Sequence, residues 1–414
     1  MNIGNAARHA IVIGVFTVSG AAPAAAGTPV TVIGQWDGFG GTYADIWGDG
    51  NFAYIGHFGH DAVNIIDISD PGNLVAVTYP LSAPNQGASA QDVKVGDGLM
   101  FIGLSGGSES VEIVDVRDPM NPVYVGSIDI PGYQTIHNLF YDSGWIYLAD
   151  SGSTRVGIVD LRTFDPDNPP ASPITSAAWI IENVGTSMVH DITVTGERLY
   201  ACAWDSGLWI YDVTNVATEI PTFLGSTGGN NTHSAWPTPD GDYVVTGEER
   251  TGGGIQVYRI TDNGGSVTLQ LTDSLALPTN QASSVHNQLI VDYRVYNSWY
   301  GAGLLIHDID PVTGLLTEVA TFNPVGNVWG VYPFLGPGRV LLSNMSSGLT
   351  ILQIGEAPLG DLDGDGLVGV TDFLMLLGEW GPCDLPCPPQ CVADLDGDCN
   401  VGVNDFLLLL ANWS

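Results

Sequence analysis

Val63–Asp67 reads VNIID, Val111–Asp115 reads VEIVD and Val156–Asp160 reads VGIVD. The phrase returns as LWIYD at Leu208–Asp212, IQVYR at Ile255–Arg259, LLIHD at Leu304–Asp308 and LTILQ at Leu349–Gln353, with starts 48, 45, 52, 47, 49 and 45 residues apart. β-Branched and aromatic residues dominate each copy, so each reads as a short buried strand. The closing residues Asp67, Asp115, Asp160, Asp212 and Asp308 read as turn-fixing side chains that bond nearby backbone. Upstream of the copies stand second apolar runs such as FAYIG, LMFIG, WIYLAD, LYACAW, DYVVTG and RVLLSN, preceded by turns such as GDGN, DSG and TGE. Another run precedes the turn, as in IHNLFY, VHDITV and VHNQLIV, and a fourth follows the pentapeptide, as in VYVGSID, TFLGST and EVATF.

Four short antiparallel strands repeating at a period of about 47 residues predict an all-β chain of the β-propeller class. One unit cannot bury both faces of its own sheet, so the units must pack around an axis. Seven pentapeptides predict seven blades over residues 27–356. The seventh copy has no fourth strand after Gln353, whereas Pro29–Trp36, PVTVIGQW, is a fourth strand with no set before it. This surplus matches that deficit, so the sequence favours a ring closed by the N-terminal strand over an open solenoid.

The pentapeptides resemble the LVIVD repeat, and the layout of roughly residues 29–354 is similar to the choice-of-anchor B family of secreted propellers. That resemblance implies the fold and carries no defined activity. Composition agrees with many turns, with 54 Gly and 25 Pro. The 44% hydrophobic content can fill a large core. A formal charge of −35, with 45 acidic residues against 10 Lys and Arg, excludes a nucleic-acid binder, because such a chain repels phosphate.

The first 26 residues read as a secretory signal: Arg8 in the n-region, the apolar Ile11–Val18, and Ala24-Ala25-Ala26 at the cleavage site. The apolar stretch is too short to span a bilayer as an anchor, and no other segment is long enough, so the mature chain is expected outside the cytoplasm without a membrane span. Four cysteines, Cys383, Cys387, Cys391 and Cys399, crowd into the C-terminal part. In an exported chain they read as two disulfides with three possible connectivities, a zinc site being the alternative. Cys202 stands alone and reads as a buried thiol.

Histidines recur at the start of the first strand of units three to six: His137, His190, His233 and His286, each followed by Asn, Asp or Ser. Asp45 and Asp92 stand near that position in the first two units. In a propeller these strands line the axis, so the four imidazoles would form an arc at one mouth. Loops of the same face carry His57, His60, Trp204-Asp205, Glu248-Glu249-Arg250 and Tyr296–Tyr300. Imidazoles with carboxylates suit a divalent metal or acid–base chemistry. The structural alternative is that repeated histidines lock neighbouring blades. Trp204, Trp299 and Tyr300 are candidate platforms for sugars.

Beyond residue 357, Asp361, Asp363 and Asp365 occupy positions 1, 3 and 5 of a twelve-residue loop, with Gly366 at 6, the Leu367 carbonyl at 7 and Asp372 at 12. Alternating carboxylates supply the hard oxygens calcium requires. The apolar run FLMLLGEW follows. After 33 residues the pattern returns as Asp394, Asp396, Asp398, the Asn400 carbonyl and Asp405, then FLLLLANW. Two loop–helix repeats of this form resemble a type I dockerin, an EF-hand-like α module spanning residues 357–414. The resemblance implies two calcium ions and docking onto a cohesin-like or other surface protein, in the company of polysaccharide catabolism. Cys399 stands where Gly is usual at position 6, and the cysteine-rich linker is similar to cysteine-containing dockerins of exported bacterial proteins.

Two functions follow as expectations. One is a secreted binding or structural module held to a surface or complex by calcium-dependent docking. The other is a polysaccharide-active hydrolase or lyase with its site at the channel mouth, metal-dependent if the arc holds an ion.

Overall fold

The computed structural model describes residues 27–38, 41–133, 135–229, 231–278, 284–336, 338–356, 358–363, 367–383 and 391–413. The leader expected over residues 1–26 lies outside them, as do Asp365, Gly366 and Cys387. Among the described residues the chain is mostly β. Its long strands fall into seven four-stranded antiparallel units, two of them joined by a single pairing between His57 and Ala90. Every pentapeptide lies in the third strand of its unit, from Ala62–Asp67 to Gly348–Ile354. These strands are buried along most of their length because sheet packs on sheet on both faces.

The innermost strands run Tyr43–Asp49, Ser89–Gly96, Ile136–Asp142, Asp191–Thr195, Thr232–Pro237, Ser284–Val291 and Val328–Tyr332. Each packs on the innermost strand of the next unit, and the seventh packs on the first. This arrangement is consistent with the blades of a propeller. Val30–Trp36 pairs with Gly348–Ile354, from Val30 opposite Ile354 to Trp36 opposite Leu349, and so supplies the fourth strand of the last unit. Across the same seam buried Arg339 donates to the Ile68 carbonyl of the first unit.

The pentapeptide aspartates act locally. Oδ1 of Asp67, Asp115, Asp160 and Asp212 accepts the backbone N–H two residues on, at 2.9, 3.0, 3.0 and 2.8 Å, which fixes the turn into the fourth strand. Asp308 instead receives Arg294 Nε at 2.7 Å.

The C-terminal module holds two helices, α1 (Val370–Gly378) and α2 (Val403–Ala411). Its small core repeats at the sequence interval of 33 residues: Val368 with Val401, Leu376 with Leu409, Phe373 with Phe406. No described helix is long and apolar enough to cross a membrane.

Candidate functional site

The inner strands carry the site, and a break in their register builds it. Pairing skips His137 between Ile136 and Asn138, His233 between Thr232 and Ser234, and His286 between Val285 and Gln288. The same slip occurs at Gln91 and Trp329. A bulge re-aims the extra residue's side chain, here bringing consecutive units' side chains together. His190 directly precedes its strand and donates its N–H to the Cys202 carbonyl at 2.8 Å. The result is a continuous arc. Ring centroids are 4.2 Å apart for His137–His190, His190–His233 and His233–His286. All four expected histidines therefore come together, flanked by Gln91 and Trp329.

Their second nitrogens are held in place. Nδ1 of His137 lies 2.8 Å from Gln91 Oε1, Nδ1 of His190 lies 3.0 Å from Asp191 Oδ1, and Nδ1 of His286 lies 2.7 Å from the Trp329 carbonyl. His233 is 1% exposed, and both of its ring nitrogens are buried without a hydrogen bond. They lie 3.7 Å from Asp191 Oδ2 and 3.6 Å from Glu249 Oε2. Burial holds the His137 and His190 imidazoles neutral down to about 3, and lowers His233 and His286 as well, with the neighbouring imidazoles adding to the effect. Burial pushes the Asp191 and Glu249 carboxyls up to about 7, and each is raised further by another carboxylate, Asp45 for Asp191 and Asp191 for Glu249.

Of the acidic pair beside the arc, only Glu249 joins it. Glu248 ends a strand, and its side chain turns to Arg250 Nη2 at 2.7 Å and Gln256 Nε2 at 3.0 Å. The Glu248 side chain thus meets Arg250 and Gln256 while Glu249 meets the arc, since successive residues of a strand point to opposite faces. Trp299 is corrected as a sugar platform: it is 1% exposed and belongs to the core. The mouth is rimmed instead by Trp204, stacked on His190 at 4.8 Å, by Tyr300 and by Trp329. Trp204 holds φ +41, a left-handed conformation sustained by the Thr232 and Gly207 N–H groups on its carbonyl.

Deeper along the axis lies a group the sequence did not assemble. Lys94 donates to Asp45 Oδ2 at 2.8 Å and to Asp92, and sits 5.0 Å over the Trp47 ring. At the far end of the same strands Trp47, Phe140, Trp236, Tyr332 and Phe334 pack edge and face on one another. Contacts between units fall largely to the residues after the arc positions: Asp92 Oδ2 accepts the Leu139 N–H at 2.5 Å, Asn138 Oδ1 accepts the Ile192 N–H at 3.0 Å, and Ser234 Oγ donates to the His286 carbonyl at 2.8 Å. His137 and His286 also reach a neighbouring unit through Nδ1.

The C-terminal loops gather carboxylates as their spacing requires. Asp361, Asp363 and Asp372 come within 4.8 Å of one another through one oxygen each, and so do Asp394, Asp396 and Asp405. Asp372 and Asp405 are buried at the third residue of their helices, where they cap the helix and tie the loop backbone. Asp405 Oδ1 accepts Leu395 and Asp396 N–H at 2.7 and 3.1 Å, and Oδ2 accepts Gly402 N–H at 2.7 Å. Burial alone would raise Asp405, but these N–H bonds outweigh it and hold the carboxyl below its usual range. Asp372 receives Leu362, Asp363 and Gly369 in the same way. An all-oxygen donor set of this kind fits calcium. Asp398 is exposed, and its Oδ1 accepts the Asn400 N–H at 2.9 Å instead of joining its three neighbours. Cys399 holds φ +67, which explains why glycine suits that loop position. Of the two expected disulfides, Cys383–Cys391 is formed. Cys399 is a free thiol, and its expected pairing is not made among the described residues. Cys202 is buried and free, as the sequence implied.

Residues 40–78 and 87–130, which span most of the first two units, match the LVIVD repeat family. No protein of curated function matches the chain in sequence. Among solved structures, a computationally designed protein, Ika8, aligns over 78% of this chain and 99% of its own length, at 11% identity and a TM-score of 0.49.

Proposed function

We propose that the chain is an exported binding module: a closed seven-bladed propeller over residues 27–356, released from a leader at 1–26, and tethered by a calcium-dependent dockerin-like module at 357–414. The observation that carries this reading is the C-terminal repeat. Two loops 33 residues apart each gather three carboxylates at a helix start. The helices expose matching apolar side chains, Val370, Leu374, Leu377 and Trp380 on one repeat and Val403, Leu407, Leu410 and Trp413 on the other. Such a surface suits a protein partner of cohesin-like kind better than solvent. The propeller then presents its mouth, rimmed by Trp204, Tyr300 and Trp329, to an extracellular ligand such as a polysaccharide.

A second reading, a polysaccharide hydrolase or lyase, is favoured by one observation: Asp191 and Glu249 stand at about 7 beside neutral imidazoles, a range suited to proton transfer near neutral pH. A panel of soluble polysaccharides separates the two. Retention on a glycan without new reducing or unsaturated ends supports the binding module, and turnover overturns it in favour of the enzyme.

A further inference from the structure

We propose that the axial arc binds one divalent transition-metal ion through Nε2 of His190, His233 and His286 and a carboxylate oxygen of Glu249. The inference goes beyond the docking reading and does not depend on it. Four features converge. Glu249 Oε2 lies 3.6 Å from His233 Nε2 and 4.0 Å from His190 Nε2, and His233, Glu249 and His286 form a group whose ligand atoms lie within 4.8 Å. Ligand atoms around a tetrahedral ion with bonds of about 2.0–2.1 Å stand about 3.3 Å apart, so the two Glu249 separations need to close by less than an ångström; His190 belongs to a second, overlapping group with His137, Asp191 and His233. The outer contacts are those of metal-bound histidines, which give their other ring N–H to a carboxylate or carbonyl. Asp191 takes Nδ1 of His190 at 3.0 Å and the Trp329 carbonyl takes Nδ1 of His286 at 2.7 Å, which leaves both Nε2 atoms free.

His233 is the third feature. It is buried with no hydrogen bond at either nitrogen, an arrangement native interiors avoid. An ion at Nε2 would satisfy one side, and Asp191 Oδ2, 3.7 Å from Nδ1, stands ready on the other. Charge is the fourth. Lys94 is the only lysine and is engaged by Asp45 and Asp92, and among the described residues Asp191 and Glu249 form ion-pair contacts with histidines and not with Lys or Arg. Three neutral imidazoles and a carboxylate suit zinc, cobalt, iron or copper rather than calcium.

The test uses the full chain, stripped of metal and returned to saturating Ca²⁺ so that the C-terminal loops are filled. Co²⁺ is then titrated while its visible d–d absorption is followed, and Zn²⁺ is used to displace it. One equivalent per chain is expected. His233→Ala should lose binding, Glu249→Gln should weaken it at least tenfold, and His60→Ala, on the exposed rim outside the arc, should bind as wild type does. Thermal unfolding guards against a structural effect: the ion should raise the wild-type midpoint and leave that of His233→Ala unmoved. Should His233→Ala not fold, Glu249→Gln, at a partly exposed position, carries the test alone. A wild-type chain that takes up neither ion in stoichiometric amount, or a Glu249→Gln chain that binds with wild-type affinity, overturns the proposal. Failure of the docking reading would change neither result, because no partner is present.

Discussion

Lys94 is placed where a lone ammonium must serve two carboxylates. Asp45 and Asp92 both reach it in the buried axis, and one positive charge can neutralise only one of them. Burial therefore pushes Asp45 up to about 7, raised further by Asp92 and held back in part by Lys94. On the ammonium, burial works downward, but the pull of the two carboxylates outweighs it and raises Lys94. Lys94→Met should destabilise the propeller by about 3–5 kcal/mol, because it strands buried charge; denaturant midpoints would measure this. The pH dependence has a definite sign. An acid near about 4 when unfolded and about 7 when folded contributes stability that is complete below pH 4 and lost as pH rises through 7. The slope is at most about 1.4 kcal/mol per pH unit. Relative to Asp45→Asn, which cannot titrate, wild type should lose stability between pH 4.5 and 7 and run parallel to it above about pH 8. Urea unfolding of both chains across that range would check this, and two curves of identical shape would remove Asp45 from the account.

At the scale of elements, the outer strand of the last unit comes from the other end of the chain. Deleting Pro29–Trp36 would leave the edge of Gly348–Ile354 unpaired and open to pairing between molecules. Loss of a soluble monomer is the expected outcome on size-exclusion chromatography; a chain beginning at Asp37 that stays monomeric with an unchanged melting point would contradict it. This pairing was legible because it is a matter of counting: seven third strands, six fourth strands following them, and one spare at the start. The pentapeptides were legible for a related reason, since their buried residues repeat at an even period. The histidine arc was visible only as a recurrence. What aims it, a slip of pairing at His137, His233 and His286, depends on backbone register that no residue type announces. The same holds for Glu248 and Glu249, identical in chemistry and adjacent in sequence, which the end of one strand sends to different neighbours. The Lys94 triad escaped because its members are 49 and 2 residues from the lysine and meet only once the first two units pack.

Over the whole molecule, the charge of −35 is concentrated most tightly in the C-terminal loops, where carboxylates that repel one another share two small clusters. The module's core is slight, with Val368, Leu376, Ala393, Val401 and Leu409 fully buried, so its stability must come largely from bound ions. An ion at 100 times its dissociation constant adds about 2.7 kcal/mol by mass action. Asp361→Ala with Asp372→Ala should remove the first ion, and Asp394→Ala with Asp405→Ala the second, while the unfolding of the propeller is barely altered. The most direct measurement is a calorimetric titration of Ca²⁺ into the metal-free full chain, paired with thermal unfolding in Ca²⁺ and in chelator. The account predicts two ions per chain, one in each double variant, and a C-terminal transition that moves up with Ca²⁺. A chain that releases no binding heat and unfolds identically in Ca²⁺ and in chelator would contradict it.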